Sequence, residues 1–112
     1  RRDREELGPE WRPTIEVEDF IERGAAWLGV DIAELRSRRR AEELVRAREL
    51  LMILGVERFG LKVKDLAMQM HKSPDGMTQT IGRAARKRTE DEAFRRELNK
   101  LDRALAGATE GR

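Results

Sequence analysis

The sequence predicts an all-α protein, a compact six-helix bundle that contains a helix-turn-helix. Three observations lead there. Aromatic residues make up only 4% of the 112 residues and charged residues 41%, so the core has to be built from Leu, Ile, Val, Ala and Met, which suits helices better than a β-sandwich. Apolar residues recur at three- and four-residue spacing in successive segments, and no credible strand or internal repeat interrupts them. Helix signals punctuate the chain at Gly29, Asp31, Phe59-Gly60 and Ser73-Pro74. At this length the chain is one domain with a single core.

Taken in order, residues 1–13 are polar and broken by Gly8-Pro9 and Arg12-Pro13, so they read as a linker or tail that carries Trp11. The folded domain is expected over residues 14–106. Thr14 is placed to cap a first helix from Ile15 or Glu16 to Leu28, with Val17, Phe20, Ile21, Gly24, Ala25 and Leu28 on its inner face, and Gly29 ends it. Asp31 caps a short helix near Ile32 to Leu35, and Arg36 to Arg40 follow as an exposed basic loop.

A longer helix, about Glu42 to Arg58, is apolar over so wide an arc that it should be the central and most buried one. Phe59-Gly60 closes it. Next comes a helix near Val63 to Met70, with Val63, Leu66, Ala67 and Met70 inward. Ser73 then serves as N-cap and Pro74 as first residue of a helix to about Arg88. Thr89 is placed to cap a last helix with Phe94, Leu98, Leu101 and Leu105 on one stripe, and residues 107–112 are expected to fray as a disordered tail. Met68, Met70 and Met77 are assigned to the core.

Composition closes off several chemistries. Tyr and Cys are absent and His71 is the only histidine, which excludes a tyrosine or cysteine nucleophile, a disulfide framework and a Cys/His zinc site. No Gly-rich phosphate loop or catalytic triad can be assembled, so neither an enzyme nor a cofactor, metal or small-molecule substrate is expected. No apolar run approaches a membrane span and the N-terminus carries no secretory pattern, so a cytoplasmic protein without a membrane partner is expected.

Net charge is only +2, but it is unevenly placed. Residues 1–34 hold five basic and ten acidic side chains, residues 35–61 hold seven and four, residues 62–88 hold seven and two, and residues 89–112 hold five and six. A basic middle between acidic flanks points to a polyanionic partner. Residues 62–88 form a helix, a polar turn and a second helix with a basic end, the arrangement by which small proteins offer a rod to the major groove. On the second helix Met77, Ile81, Ala84 and Arg88 share an inner arc. Asp75, Gln79, Gly82 and Arg86 lie opposite, flanked by Thr78 and Arg83. Gln suits adenine, Arg suits guanine, and Gly permits close approach.

Four arginines within Arg36 to Arg40 repel one another unless an anion gathers them, and phosphate or a narrow minor groove is such an anion. Arg46 and Arg48 extend the basic surface, Lys62 and Lys64 open the helix before the turn, and Lys72, Ser73 and Gly76 lie at the turn itself. The rival reading is a helical protein–protein interaction module without DNA binding, docked through its acidic first helix. RNA is disfavoured by the lack of an aromatic stacking platform.

Gly29-Val-Asp-Ile-Ala-Glu-Leu-Arg-Ser-Arg-Arg-Arg40, Val45-Arg-Ala-Arg48, Val63-Lys-Asp-Leu-Ala67 and Ala84-Ala-Arg-Lys87 together resemble the C-terminal DNA-binding domain of the bacterial chromosomal replication initiator DnaA. The likeness covers roughly Thr14 to Leu105. The same Trp repressor-like fold occurs at the C-terminus of REP-associated transposases, which the Glu10-Trp-Arg-Pro-Thr14 stretch resembles more closely. The resemblance implies sequence-specific binding to double-stranded DNA. It places Arg40, beside Arg38 and Arg39, in the minor groove, and Arg48, Val63 and Lys64 at phosphate. Where DnaA carries Gly-Arg-Asp-His-Thr-Thr-Val, this chain has His71-Lys-Ser-Pro-Asp-Gly-Met-Thr-Gln79, a departure in the segment that reads the origin box. Any ATPase or transposase activity would belong to an upstream domain of a longer protein, an expectation in keeping with a first residue other than Met.

Overall fold

Every segment with helical spacing becomes a helix. The computed structural model describes residues 14–110, the side chains of 108–110 excepted, and among them are six helices and no strand. They are α1 (Val17–Leu28), α2 (Ile32–Arg36), α3 (Glu42–Arg58), α4 (Val63–Gln69), α5 (Pro74–Glu90) and α6 (Glu92–Glu110). The linker assigned to residues 1–13, with Trp11, lies outside the described residues, as do Gly111 and Arg112. The radius of gyration, 13.8 Å, is that of a folded chain of this size, about 13 Å for 100 residues.

The helix α3 touches all five others and packs most extensively on α5. Residues Ala47 to Gly55 are buried without a break, which is what an apolar circumference demands. Phe20, Ile21 and Ala25 of α1, Leu66 and Ala67 of α4, Met77 and Ala84 of α5, and Phe94, Leu98, Leu101 and Leu105 of α6 close around it. Phe20 and Phe59 meet with ring centroids 5.3 Å apart. At the α1–α3 crossing Gly24 faces Leu51, and a Cβ there would lie 2.3 Å from Leu51 Cδ2, so a larger residue would have to displace that side chain. Gly29 ends α1 in the left-handed conformation at φ 74°, while Val30 N–H donates to Ala25 C=O at 3.0 Å, the usual helix-stop pattern.

Several local expectations need correction. Thr14 is exposed and does not cap α1. Ile15 is drawn into the core instead, so the helix starts at Val17 behind Glu16, which makes no side-chain cap bond. Nor does Thr89 cap α6. Its hydroxyl bonds back to Ala85 C=O at 3.3 Å inside α5, and Asp91 Oδ1 accepts from Phe94 N–H at 3.1 Å. The last helix continues past Gly107 to Glu110. Met68 stands 70% exposed on the outer side of α4, whereas Met70 and Met77 are in the core.

The caps of α2 and α5 are as expected. Asp31 Oδ1 accepts from Ala33 N–H at 3.0 Å, and Ser73 Oγ accepts from Gly76 N–H at 3.0 Å, with Pro74 opening α5. The turn between α4 and α5 reverses at His71, whose φ of 56° is left-handed, a conformation in which histidine is enriched among non-glycine residues. Lys72 N–H then donates to Ala67 C=O at 2.9 Å, closing α4.

Candidate nucleic-acid interface

The structure brings the basic loop against the start of α5. Between them lies a cleft of about 590 Å³, bounded on one side by Ser37, Arg38 and Arg40 and on the other by His71, Lys72, Ser73, Gly76, Gln79 and Arg83. Arg48, Val45, Met77 and Thr80 form its floor, and no carboxylate is among the residues that line it.

The loop is built from short-range bonds. Ser37 Oγ donates to Glu34 C=O at 2.6 Å and accepts from Arg39 N–H at 3.2 Å. Arg38 and Arg40 are exposed on the cleft side. Arg39 turns away and pairs with Glu34 at 2.7 Å. Arg36, expected in the exposed loop, is instead the last residue of α2. It is held there by donating Nε to Gln69 C=O at 2.7 Å and Nη2 to Gln69 Oε1 at 3.3 Å.

The outer face of α5 is as the periodicity predicts. Asp75, Thr78, Gln79, Gly82, Arg83 and Arg86 are all exposed, and a Cβ on Gly82 would meet nothing within 4 Å. Thr78 Oγ1 donates to Pro74 C=O at 3.0 Å. Gln79 and Arg83 face the cleft, while Asp75, Thr78 and Arg86 continue the same surface beyond it. Val63 and Lys64 are not part of the cleft. Val63 packs against the core and Lys64 is exposed at the start of α4.

Two expected DNA contacts, Arg46 and Arg48, have partners within the protein. Arg46 projects towards α6, where its guanidinium pairs with Glu97 at 2.5 Å and lies 5.8 Å from the centroid of Phe94. Arg48 is only 7% exposed and donates to four backbone carbonyls of the α2 end and the loop. Spacing placed both on the surface of the long helix, but that helix is covered on nearly every side.

Three buried polar residues, Glu49, Thr80 and Asp102, escaped the sequence reading. Glu49, 1% exposed on α3, accepts from Lys87 Nζ at 2.7 Å and faces Arg83 Nε at 3.5 Å. Thr80, on the inner arc of α5, donates to Gly76 C=O at 3.1 Å and accepts from Arg83 Nη2 at 3.1 Å. The clue to Glu49 was an acid at the head of the apolar run Leu50 to Leu54, with Arg83 and Lys87 one turn apart on the helix that covers it.

Charge accumulates in the cleft. Lys72 is held below its ordinary pKa first by burial, then by Arg48 and Arg38. Arg48 is lowered first by burial and then by Arg40. A concave surface lined by cations, hydroxyls and an amide without a carboxylate can hold an anion. Among the described residues no three His, Cys, Asp or Glu side chains are grouped as a metal site, and no helix is long and apolar enough to cross a membrane. No protein-family model matches the chain, and neither does any curated protein.

Proposed function

We propose that this domain binds double-stranded DNA, with α5 in the major groove and the Ser37 to Arg40 loop at the backbone or the neighbouring minor groove. The observation that carries the reading is the cleft. It places Arg38 and Arg40 opposite Lys72, Gln79 and Arg83, from segments more than thirty residues apart, around a space free of lining carboxylates. A helix of 17 residues is about 25 Å long and spans a major groove about 12 Å wide with room at both ends.

In this reading Arg38 and Arg40 supply non-specific affinity by meeting phosphate. Gln79, Arg83 and Arg86 supply base contacts, and the bare backbone at Gly82 allows α5 to sit deep. Arg83, already oriented by Glu49 and Thr80, needs less ordering on binding than a free arginine. The resemblance to the DnaA C-terminal domain supports the same docking mode and a role as the targeting domain of a larger replication-initiator-like or transposase protein. The departure in residues 71–79 argues for a target other than the DnaA box.

Selection of duplexes from a random pool, followed by anisotropy titrations across a salt series, tests the proposal. Affinity should fall linearly on a log–log plot against salt, at a slope of about −0.9 per phosphate contacted. Gln79→Ala should change the preferred sequence by about 1–3 kcal/mol at one base pair while leaving that slope alone. Absence of salt-dependent duplex affinity would sink the DNA reading in favour of a protein-docking module, whose partner should be indifferent to charge reversal at Arg38 and Arg40.

A further inference from the structure

Arg48 has the appearance of a phosphate ligand in sequence and the surroundings of a structural pin in space. Its Nε donates to Leu35 C=O at 3.1 Å, Nη1 to Arg39 C=O at 2.8 Å, and Nη2 to Glu34 C=O at 3.0 Å and Ser37 C=O at 3.1 Å. Four of the five N–H donors of a guanidinium are thereby engaged. The Ser37 carbonyl also accepts from Lys72 Nζ at 2.6 Å, so a cation from α3 and a cation from the turn before α5 grip the same peptide. Ser37 and Lys72 are 35 residues apart in the chain at this contact.

We propose that Arg48, assisted by Lys72, is a positioning residue that fixes the basic loop relative to α5, so that loop and helix meet DNA in one register; this rests on the DNA reading above. Arg38, Arg40, Arg48 and Lys72 are like charges gathered on one side of the domain, and repulsion alone would push the loop outward. Carbonyl acceptors hold the loop without neutralising any of that charge. A carboxylate in their place would hold it as well and weaken the cleft for an anion. The fork geometry is what matters, because an ammonium at position 48 keeps the charge but cannot span four carbonyls.

The experiment uses the full chain and two readouts. In free protein, amide exchange of residues 36–41 should accelerate about tenfold or more in Arg48→Lys, with the buried amides of α3 unchanged. On a duplex selected by the wild type, Arg48→Lys should lose about tenfold in affinity, while combining it with Arg38→Ala and Arg40→Ala should be no worse than the loop pair alone. Wild-type affinity in Arg48→Lys, or losses that add in full, would make Arg48 a direct phosphate contact and overturn the proposal. Circular dichroism and melting control for folding. If Arg48→Lys fails to fold, Lys72→Met carries the same test, with faster loop exchange and non-additive loss expected, and unchanged exchange refuting it. Should the wild type show no duplex affinity, the DNA reading falls, and the exchange measurement still decides whether Arg48 positions the loop.

Discussion

Two regions of this domain use the same cations to opposite ends. Along the seam of α3, α5 and α6, five cations end on carboxylates: Arg83 and Lys87 on Glu49, Arg46 on Glu97, Arg58 on Asp102, and Arg88 on Glu57. Around the cleft the cations other than Arg83, which reaches both regions, end on neutral partners or on none among the described residues. Arg48 and Lys72 meet carbonyls, and Arg38 and Arg40 are exposed. A carboxylate partner cancels charge and joins two helices, whereas a carbonyl partner orders a cation and leaves its field intact. The identity of the partner, more than the density of arginine, separates a stabilising region from one suited to a polyanion.

The largest effect should come from breaking the seam. Glu49→Ala leaves Lys87 and Arg83 without their shared carboxylate. Removal of one member of a buried pair costs about 3–5 kcal/mol, and because both cations are nearly half exposed we expect about 2 kcal/mol by urea denaturation. A silent Glu49→Ala would break the comparison from the stability side.

Arg40→Ala should do the reverse. We expect roughly tenfold weaker duplex binding and a salt slope shallower by about 0.9, with no loss of melting temperature. An unchanged slope would mean that the loop does not reach phosphate. Arg46→Ala sharpens the distinction, because it removes a half-exposed ion pair and a cation–π contact. A cost of about 1 kcal/mol in stability with unchanged DNA affinity is expected, and weakened binding would return Arg46 to the interface.

The smallest effect concerns pH. Lys72 has a folded pKa below its ordinary 10.5, so its charged form is disfavoured in the fold. That penalty is fully present below the folded pKa and fades as pH rises through it towards 10.5. In that window the unfolded chain binds more protons, and stability therefore rises with pH. Wild type should gain stability relative to Lys72→Met over this range, and a parallel pH profile of the two would show that neither burial nor the neighbouring cations weigh on Lys72.

Much of the fold was legible because its signals are local. Asp31 and Ser73 cap the helices expected of them, Gly29 stops α1, and the apolar spacing of residues 42–58 anticipates a central helix. The failures were competitions decided elsewhere. Thr14 was a sound cap until Ile15 found room in the core, and Thr89 lost to Asp91 because α5 continues through it.

The candidate site divides the same way. The outer face of α5 follows from its period and the basic loop from its composition, so Gln79, Arg83, Arg38 and Arg40 were visible in advance. The fates of Arg46 and Arg48 were not, because their partners lie elsewhere in the chain: Glu97 is 51 residues away, and the carbonyls that Arg48 grips lie 9 to 14 residues back. By itself the sequence determined the helices, their caps, the central place of α3 and the uneven charge, since each depends on neighbours within a turn or two. Only the tertiary structure decided which cations are neutralised, which are pinned and which are left to meet an anion, because an ion pair or a carbonyl grip depends on distances that packing alone sets.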